Sequence, residues 1–256
     1  MDLQIHGKVA LVTGASSGVG RACALALARE GVRLAVAARR FDELEAVARE
    51  ALAAGAADAR AFVVDLGQPD SIEGLVGGIR AALGEIEILV ANGGGPRPGS
   101  YAQLALEDWD AGYRTVLRSA IHLVGLALPS MRARKWGRIV ALTSSSVKEP
   151  IAALALSNVF RTGLVSALKT LSNEVAADGV TVNAIATGRV LTARLRSLYG
   201  NDEAALTRAA REVPIGRIAE PEEFAPLVAF LCGEPARYVT GQTVSVDGGL
   251  VRGLYG

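Results

Sequence analysis

Three glycines carry the first chemical signal. Between an apolar run and a segment of helical periodicity the chain reads Thr13-Gly14-Ala15-Ser16-Ser17-Gly18-Val19-Gly20, a G-x3-G-x-G spacing. Glycine lets a backbone turn tightly, lets phosphate oxygens approach the main chain, and opens a helix whose N-terminus attracts an anion. That is a phosphate cradle, although a βα turn with incidental glycines would have the same outline. A second polar cluster, Thr143-Ser144-Ser145-Ser146, follows another apolar run. Its hydroxyls could bond a carbonyl or an oxyanion, or could cap loop backbone. Lys148 lies just beyond, beside Glu149. It could donate a proton or stabilise charge, or could pair with Glu149 in solvent.

The elements that must position these residues alternate from start to finish. Lys8–Thr13 reads as a buried strand, followed by the glycine turn and a helix through Glu30. Val32–Ala38 is a second strand and Glu43–Ala54 has helical periodicity. Ala61–Asp65 is a third strand, and Ser71–Leu83 a helix with Asp70 or Ser71 near its cap. Glu87–Ala91 is a fourth strand. Glu107–Arg134 is a long helical stretch that Pro129 bends or ends. Arg138–Thr143, Val180–Ile185 and Thr243–Val246 complete the strands, with helices at Leu154–Ala177 and Pro221–Cys232. Near-continuous apolar strands separated by helices predict an α/β fold: one domain, doubly wound, with a seven-stranded parallel Rossmann sheet covered on both faces.

Bulk properties narrow the partners. Half of the 256 residues are apolar and the formal net charge is +1, with no basic block. The chain therefore reads as a large-cored protein whose main partner is neither nucleic acid nor a membrane surface. No apolar run approaches a membrane span, and no secretory signal is read at the start. Two cysteines and two histidines, dispersed, predict no disulfide framework and no metal site. A cytoplasmic protein with free thiols is expected.

Segments in order along nearly the whole chain resemble the short-chain dehydrogenase/reductase family, in particular its 3-oxoacyl-ACP-reductase-like members. Thr13–Gly20 is similar to that family's cofactor turn, and Asp65-Leu66 to the pair that meets the adenine ring. Ala91-Asn92-Gly93-Gly94 stands where the family has Asn-Asn-Ala-Gly. Gly137-Arg138-Ile139-Val140, Val182-Asn183-Ala184, Pro214-Ile215-Gly216-Arg217, Pro221-Glu222-Glu223 and Tyr238-Val239-Thr240-Gly241 through Gly249 continue the match. The resemblance implies a nicotinamide dinucleotide held by Gly14, Ser16, Ser17, Gly18, Val19, Gly20, Asp65, Leu66, Asn92, Gly93 and Gly94. Arg161, which can hold a ribose or phosphate, and Gly188, Val190 and Thr192 complete the set, with Thr192 where the family bonds the carboxamide. The second strand ends in Ala37-Ala38-Arg39-Arg40 with no carboxylate before Asp42. An NAD site usually places an acidic residue there. Arg39, with Arg40 and Ser17, could instead receive a 2′-phosphate, so NADP(H) is favoured over NAD(H).

The same resemblance places the family's catalytic serine at Ser144, its tyrosine at Ser157, its lysine at Arg161 and its asparagine at Val116. No tyrosine occurs between Tyr113 and Tyr199, so a shift of register cannot restore one. A phenol with a cation one turn away is a tunable acid, whereas a serine hydroxyl is far less acidic. Ordinary ketone reduction is therefore expected to be weak unless Lys148, the serines or an acidic substrate compensates. Asn158 and Arg161 could bind a polar or anionic substrate, or simply satisfy polar groups of the protein. Arg194 and Arg196 read as solvent-facing helix residues more readily than as substrate contacts. Residues 188–215 resemble the family's substrate lid. Three functions stay open: an NADP(H)-dependent oxidoreductase with an altered proton donor, a silent dinucleotide-binding sensor or regulator, and a non-redox enzyme. The family also implies a homotetramer or dimer, with the apolar, glycine-rich tail Leu250–Gly256 either packed at an interface or frayed.

Overall fold

A computed structural model describes residues 1–254; Tyr255 and Gly256, the end of the tail read above as interface or frayed, lie outside the described residues. β1 (Val9–Thr13), β2 (Arg33–Ala38), β3 (Asp58–Val63), β4 (Ile88–Ala91), β5 (Gly137–Leu142), β6 (Val180–Thr187) and β7 (Thr243–Val246) form one sheet. Their order is β3-β2-β1-β4-β5-β6-β7, and every pairing is parallel. Both faces are covered, as the unbroken apolar strands require. Alternation along β1 shows how: Ala10 and Val12 join Cys23, Leu27 and Val228 in one core, while Val9 and Leu11 join Ile72, Ile79 and Leu123 in the other. The first face is packed by α1 (Gly18–Arg29), α2 (Phe41–Ala54) and α9 (Ala225–Cys232). The second is packed by α3 (Pro69–Ala82), α5 (Ser119–Ala133) and α6 (Ala155–Val175).

Several boundaries differ from the sequence reading. β3 runs over Asp58–Val63, not Ala61–Asp65, because it pairs with the whole length of β2 from Arg33 onward. It is a half-exposed edge strand, so Asp58 and Arg60 do not interrupt it. Asp65 and Leu66 therefore follow the strand instead of ending it. The cap of α3 is Gln68, with Pro69 in the first turn; the Ser71 hydroxyl instead accepts a bond from the Asp65 N–H. The predicted Glu107–Arg134 helix is three pieces: α4 (Leu106–Gly112), a wide π-helical stretch over Tyr113–Arg118, and α5. Pro129 neither ends nor delimits α5, since Arg134 N–H still bonds the Ser130 carbonyl beyond it. Pro221–Cys232 opens as a 3-10 turn, because Glu223 folds back to accept from the Glu220 N–H; only Ala225–Cys232 is α-helical.

The stretch read as a lid contains two short helices, α7 (Ala193–Leu198) and α8 (Glu203–Glu212). Thr192 caps the first and Asp202 the second through their side-chain oxygens. Among the described residues no helix is long and apolar enough to cross a membrane.

Candidate functional site

The strand order reverses between β1 and β4, and in open α/β sheets such a reversal opens a crevice at the carboxyl ends of the strands. Here that crevice is a cleft of about 650 Å³. Its floor is a small backbone knot. The Thr13 hydroxyl at the end of β1 donates to the Asn92 carbonyl at 2.8 Å and accepts from the Asn92 N–H at 2.9 Å. Asn92 Nδ2 in turn donates to the Gly14 carbonyl at 3.3 Å. Gly14 and Gly18 adopt left-handed φ of 59° and 56°, which glycine tolerates without strain. Ser17 is the N-cap of α1 but makes no side-chain capping bond, so no hydroxyl occupies the acceptor position over the first-turn N–H groups.

Two arginines follow β2 at the rim. Arg40 lies 3.2 Å from Ser16 Oγ and 3.4 Å from Ser17 Oγ, and pairs with Glu43 at 2.6 Å. Arg39 lines the same wall with no carboxylate partner among the described residues. Beyond β3, Asp65 lines the cleft while its Oδ1 accepts from the Gly67 N–H at 2.9 Å. Backbone approach at the glycines, an open helix start and free guanidinium donors together suit an extended, polyanionic dinucleotide.

At the far end, β5 delivers Ser144. Its Oγ accepts from the Ser146 N–H at 3.1 Å, so the residue caps its own turn and also lines the cleft. Ser146 and Ser157 are buried with their hydroxyl oxygens 3.5 Å apart. One helical turn on, Arg161 is half-buried and donates from Nη1 to the Leu142 carbonyl at 3.0 Å. Burial, and then the nearby charge of Arg194, pull its pKa down to about 10. Arg194 lays its guanidinium across Gly95, where a Cβ would come within 2.8 Å of it, and donates to the Pro96 carbonyl at 2.6 Å. Burial lowers its pKa as well. Asp65 is the only carboxylate among the lining residues, against Arg39, Arg40, Arg161 and Arg194.

The cleft gathers every nucleotide residue read from the sequence, from the glycine turn through Asp65, Leu66, Asn92, Gly93 and Gly94 to Gly188, Val190 and Thr192, together with Ser144, Ser157 and Arg161. Lys148 is not among the lining residues. Asn158 is committed elsewhere, its Oδ1 accepting from the Ile151 N–H and its Nδ2 donating to the Ile151 carbonyl. Arg196 pairs with Glu203 at 2.5 Å, as its helical position suggested. Arg194 departs from that expectation: much of it is exposed, yet its guanidinium faces the cleft. The signal that could have found it is the Gly93-Gly94-Gly95-Pro96 run, whose bare backbone leaves room for a planar side chain. Thr115, in the π-helical stretch, is a further lining residue that sequence periodicity missed.

Residues 14–251 match a family model described as enoyl-(acyl carrier protein) reductase. The chain is 34% identical over 248 residues to the 3-oxoacyl-(acyl-carrier-protein) reductase FabG of Escherichia coli K12, spanning 97% of this chain and 99% of that one. L-sorbose reductase from Gluconobacter frateurii, solved with NADPH and L-sorbose, is similar with a TM-score of 0.93 and 34% identity, covering 99% of this chain and all of the other. YwfH, an NADPH-dependent reductase involved in bacilysin biosynthesis, is similar with a TM-score of 0.93 at 29% identity, covering 97% of this chain and all of the other.

Proposed function

The chain belongs to the short-chain dehydrogenase/reductase family, and from that premise we propose an NADP(H)-dependent oxidoreductase acting on a carbonyl or hydroxyl substrate with an atypical proton-donor arrangement. The observation that carries this reading is continuity: one cleft joins the glycine turn, the arginine pair after β2 and the Ser144–Ser157–Arg161 group. The glycines and the start of α1 take the diphosphate, and Arg39, Arg40 and Ser17 take the 2′-phosphate. Relatives solved with NADPH support the choice of NADP(H). Asp65 and Leu66 flank the adenine, while Asn92, Gly93, Gly94, Gly188, Val190 and Thr192 border the nicotinamide half. When bound, the cofactor supplies or accepts a hydride.

The protein's own task is then to hold a carbonyl oxygen and manage its charge. Ser144 donates to that oxygen, and Arg161 stabilises the negative charge that develops there. A guanidinium keeps its proton near neutrality, so Arg161 acts by electrostatics, and the proton comes from solvent or along the Ser146–Ser157 hydroxyl pair. Lys148 is a weaker donor candidate, since it does not line the cleft. Residues 188–215 close over the substrate as a lid, with Thr192 beside Gly18 at the mouth.

NADPH consumption over a panel of carbonyl compounds, by the wild type and by a Ser157→Tyr/Arg161→Lys variant, tests the proposal. Wild-type turnover supports it, and restoring a positioned phenol is expected to raise simple-ketone reduction by about 10²–10⁴. Turnover by the variant alone would make the wild type a binding or non-redox protein.

A further inference from the structure

Most arginines of this chain are matched to carboxylates, including Arg21 with Glu50, Arg97 with Asp108, Arg189 with Glu212 and Arg217 with Glu223. Arg161 and Arg194 have no such partner among the described residues, and both line the same cleft, where the charge of Arg194 adds to burial in lowering the Arg161 pKa. Each is anchored along one edge by a backbone carbonyl, Leu142 for Arg161 and Pro96 for Arg194. A guanidinium has five N–H donors, so most of each fork is left over. Two like charges lining one cleft, Arg161 half-buried and Arg194 largely exposed, with no carboxylate partner among the described residues, leave a place for an anion.

The acid in the cleft cannot be that anion. Asp65 follows β3, and Arg161 contacts the end of β5, four strands away in the sheet. At about 4.8 Å per strand the separation is roughly 19 Å. The phosphates of a dinucleotide are provided for elsewhere as well, at the glycine turn after β1 and at the arginines after β2. What lies beside Arg161 is instead the hydroxyl group set of Ser144 and Ser157, where a substrate oxygen would be handled.

We propose that Arg161 and Arg194 form a carboxylate clamp, and that the substrate of this enzyme is an oxo acid or the corresponding hydroxy acid. This rests on the oxidoreductase reading and narrows it. Two planar forks lining one cleft suit the paired oxygens of a carboxylate better than a single hydroxyl or ester. The substrate class also answers the missing phenol. A carboxylate close to the carbonyl is held by the guanidiniums in a neutralised state, so it withdraws electron density and makes the developing alkoxide less basic. Such a carbonyl depends less on a strong enzymic acid than a simple ketone does.

The test measures binding, so that it does not depend on turnover. The protein is titrated calorimetrically, both free and saturated with NADPH, with 2-, 3- and 4-oxohexanoate and with their methyl esters. At least one oxo acid is expected to bind about 10- to 100-fold more tightly than its ester, and Arg194→Met is expected to erase that preference. Arg194→Lys keeps the charge without the fork and should retain only part of it. NADPH affinity should stay within about twofold in Arg194→Met. Equal binding of acids and esters by the wild type overturns the clamp. A comparable loss of NADPH affinity in Arg194→Met, with no acid preference in the wild type, overturns it in favour of a cofactor-phosphate contact. If the wild type binds no NADPH, the oxidoreductase reading fails by itself, and the titration of the free protein still decides the clamp.

Discussion

A Cβ added to Gly20 would lie 2.2 Å from the Gly14 carbonyl oxygen and 2.7 Å from Asn92 Nδ2. Both neighbours belong to the knot that joins the ends of β1 and β4, so neither can retreat without opening the floor of the cleft. The need for glycine here is thus a property of the protein's own packing, before any phosphate arrives. Gly94 is the contrast, since a Cβ there meets nothing within 4 Å. Gly20→Ala is expected to cost about 1–3 kcal/mol in urea denaturation of the cofactor-free protein, as overpacking does. Gly94→Ala should fall within about 0.5 kcal/mol of the wild type. Equal losses at the two positions would mean that the knot is not what the first glycine protects. The same residue-scale logic separates Arg161 from a lysine: its fixed fork can serve a carbonyl and an anion at once, but it does not give up its proton as a lysine can.

At the scale of elements, the sequence disclosed what is periodic and concealed what is held by side chains. The seven strands and the glycine turn were legible because apolar runs and glycine spacing are local signals. β3 was misplaced because its start is fixed by pairing with β2, a partner no local window sees. The π-helical stretch was invisible for a similar reason, as were the inward-facing Arg194 and the fully buried Arg138. Arg138 reads as a charge in a strand, yet it is covered by the Trp136 ring and bound to the Glu234 carboxylate at 2.7 Å. Asn158 stayed open between a substrate contact and a purely internal role because type alone cannot show that its amide is already bonded to Ile151. Glu223 shows the same kind of non-local tie. It grips Arg217 with two 2.6 Å bonds and accepts from the Glu220 N–H, joining the segment after α8 to the turn before α9. Those bonds, the Arg217 pair first and the Glu220 N–H second, pull its pKa from 4.5 down to about 2. A depressed carboxyl stabilises the fold above its unfolded pKa and loses that contribution as pH falls through the folded one. The Tm difference between wild type and Glu223→Gln should therefore be constant above about pH 5 and shrink steadily as the pH is lowered towards about 2. A difference that is flat across this range would show that the clip does not act on stability; the pair is exposed, so the effect is expected to be small.

For the whole molecule, the question is what covers the outer faces of α4 and α6. Trp109 stacks edge-on with Tyr101 at 5.5 Å and with Phe160 at 5.9 Å, and Tyr113 lies 6.3 Å from Phe160. Around this aromatic cluster Tyr101, Leu106, Tyr113 and Val159 stay exposed, Val159 by 50%. Exposed apolar side chains gathered around one aromatic cluster mark an interaction surface. A second copy of the chain is the expected occupant, in line with the homotetramer or dimer that the family implies. The site has a stake in it. At 100° per residue, Val159 points to the side of α6 opposite Ser157 and Arg161, so a partner helix against Val159 would brace the helix that presents both. Sedimentation velocity is expected to give two or four times the 26.5 kDa of one chain. Val159→Glu would bring an unpaired carboxylate into the joint, and should reduce the assembly to smaller species. Because the position is exposed in the single chain, the variant should keep a wild-type circular dichroism spectrum and a monomer stability within about 0.5 kcal/mol. A wild type that sediments as a monomer, or a variant that assembles unchanged, would leave the rigidity of the Ser157–Arg161 turn to be supplied by α6 and its own core alone.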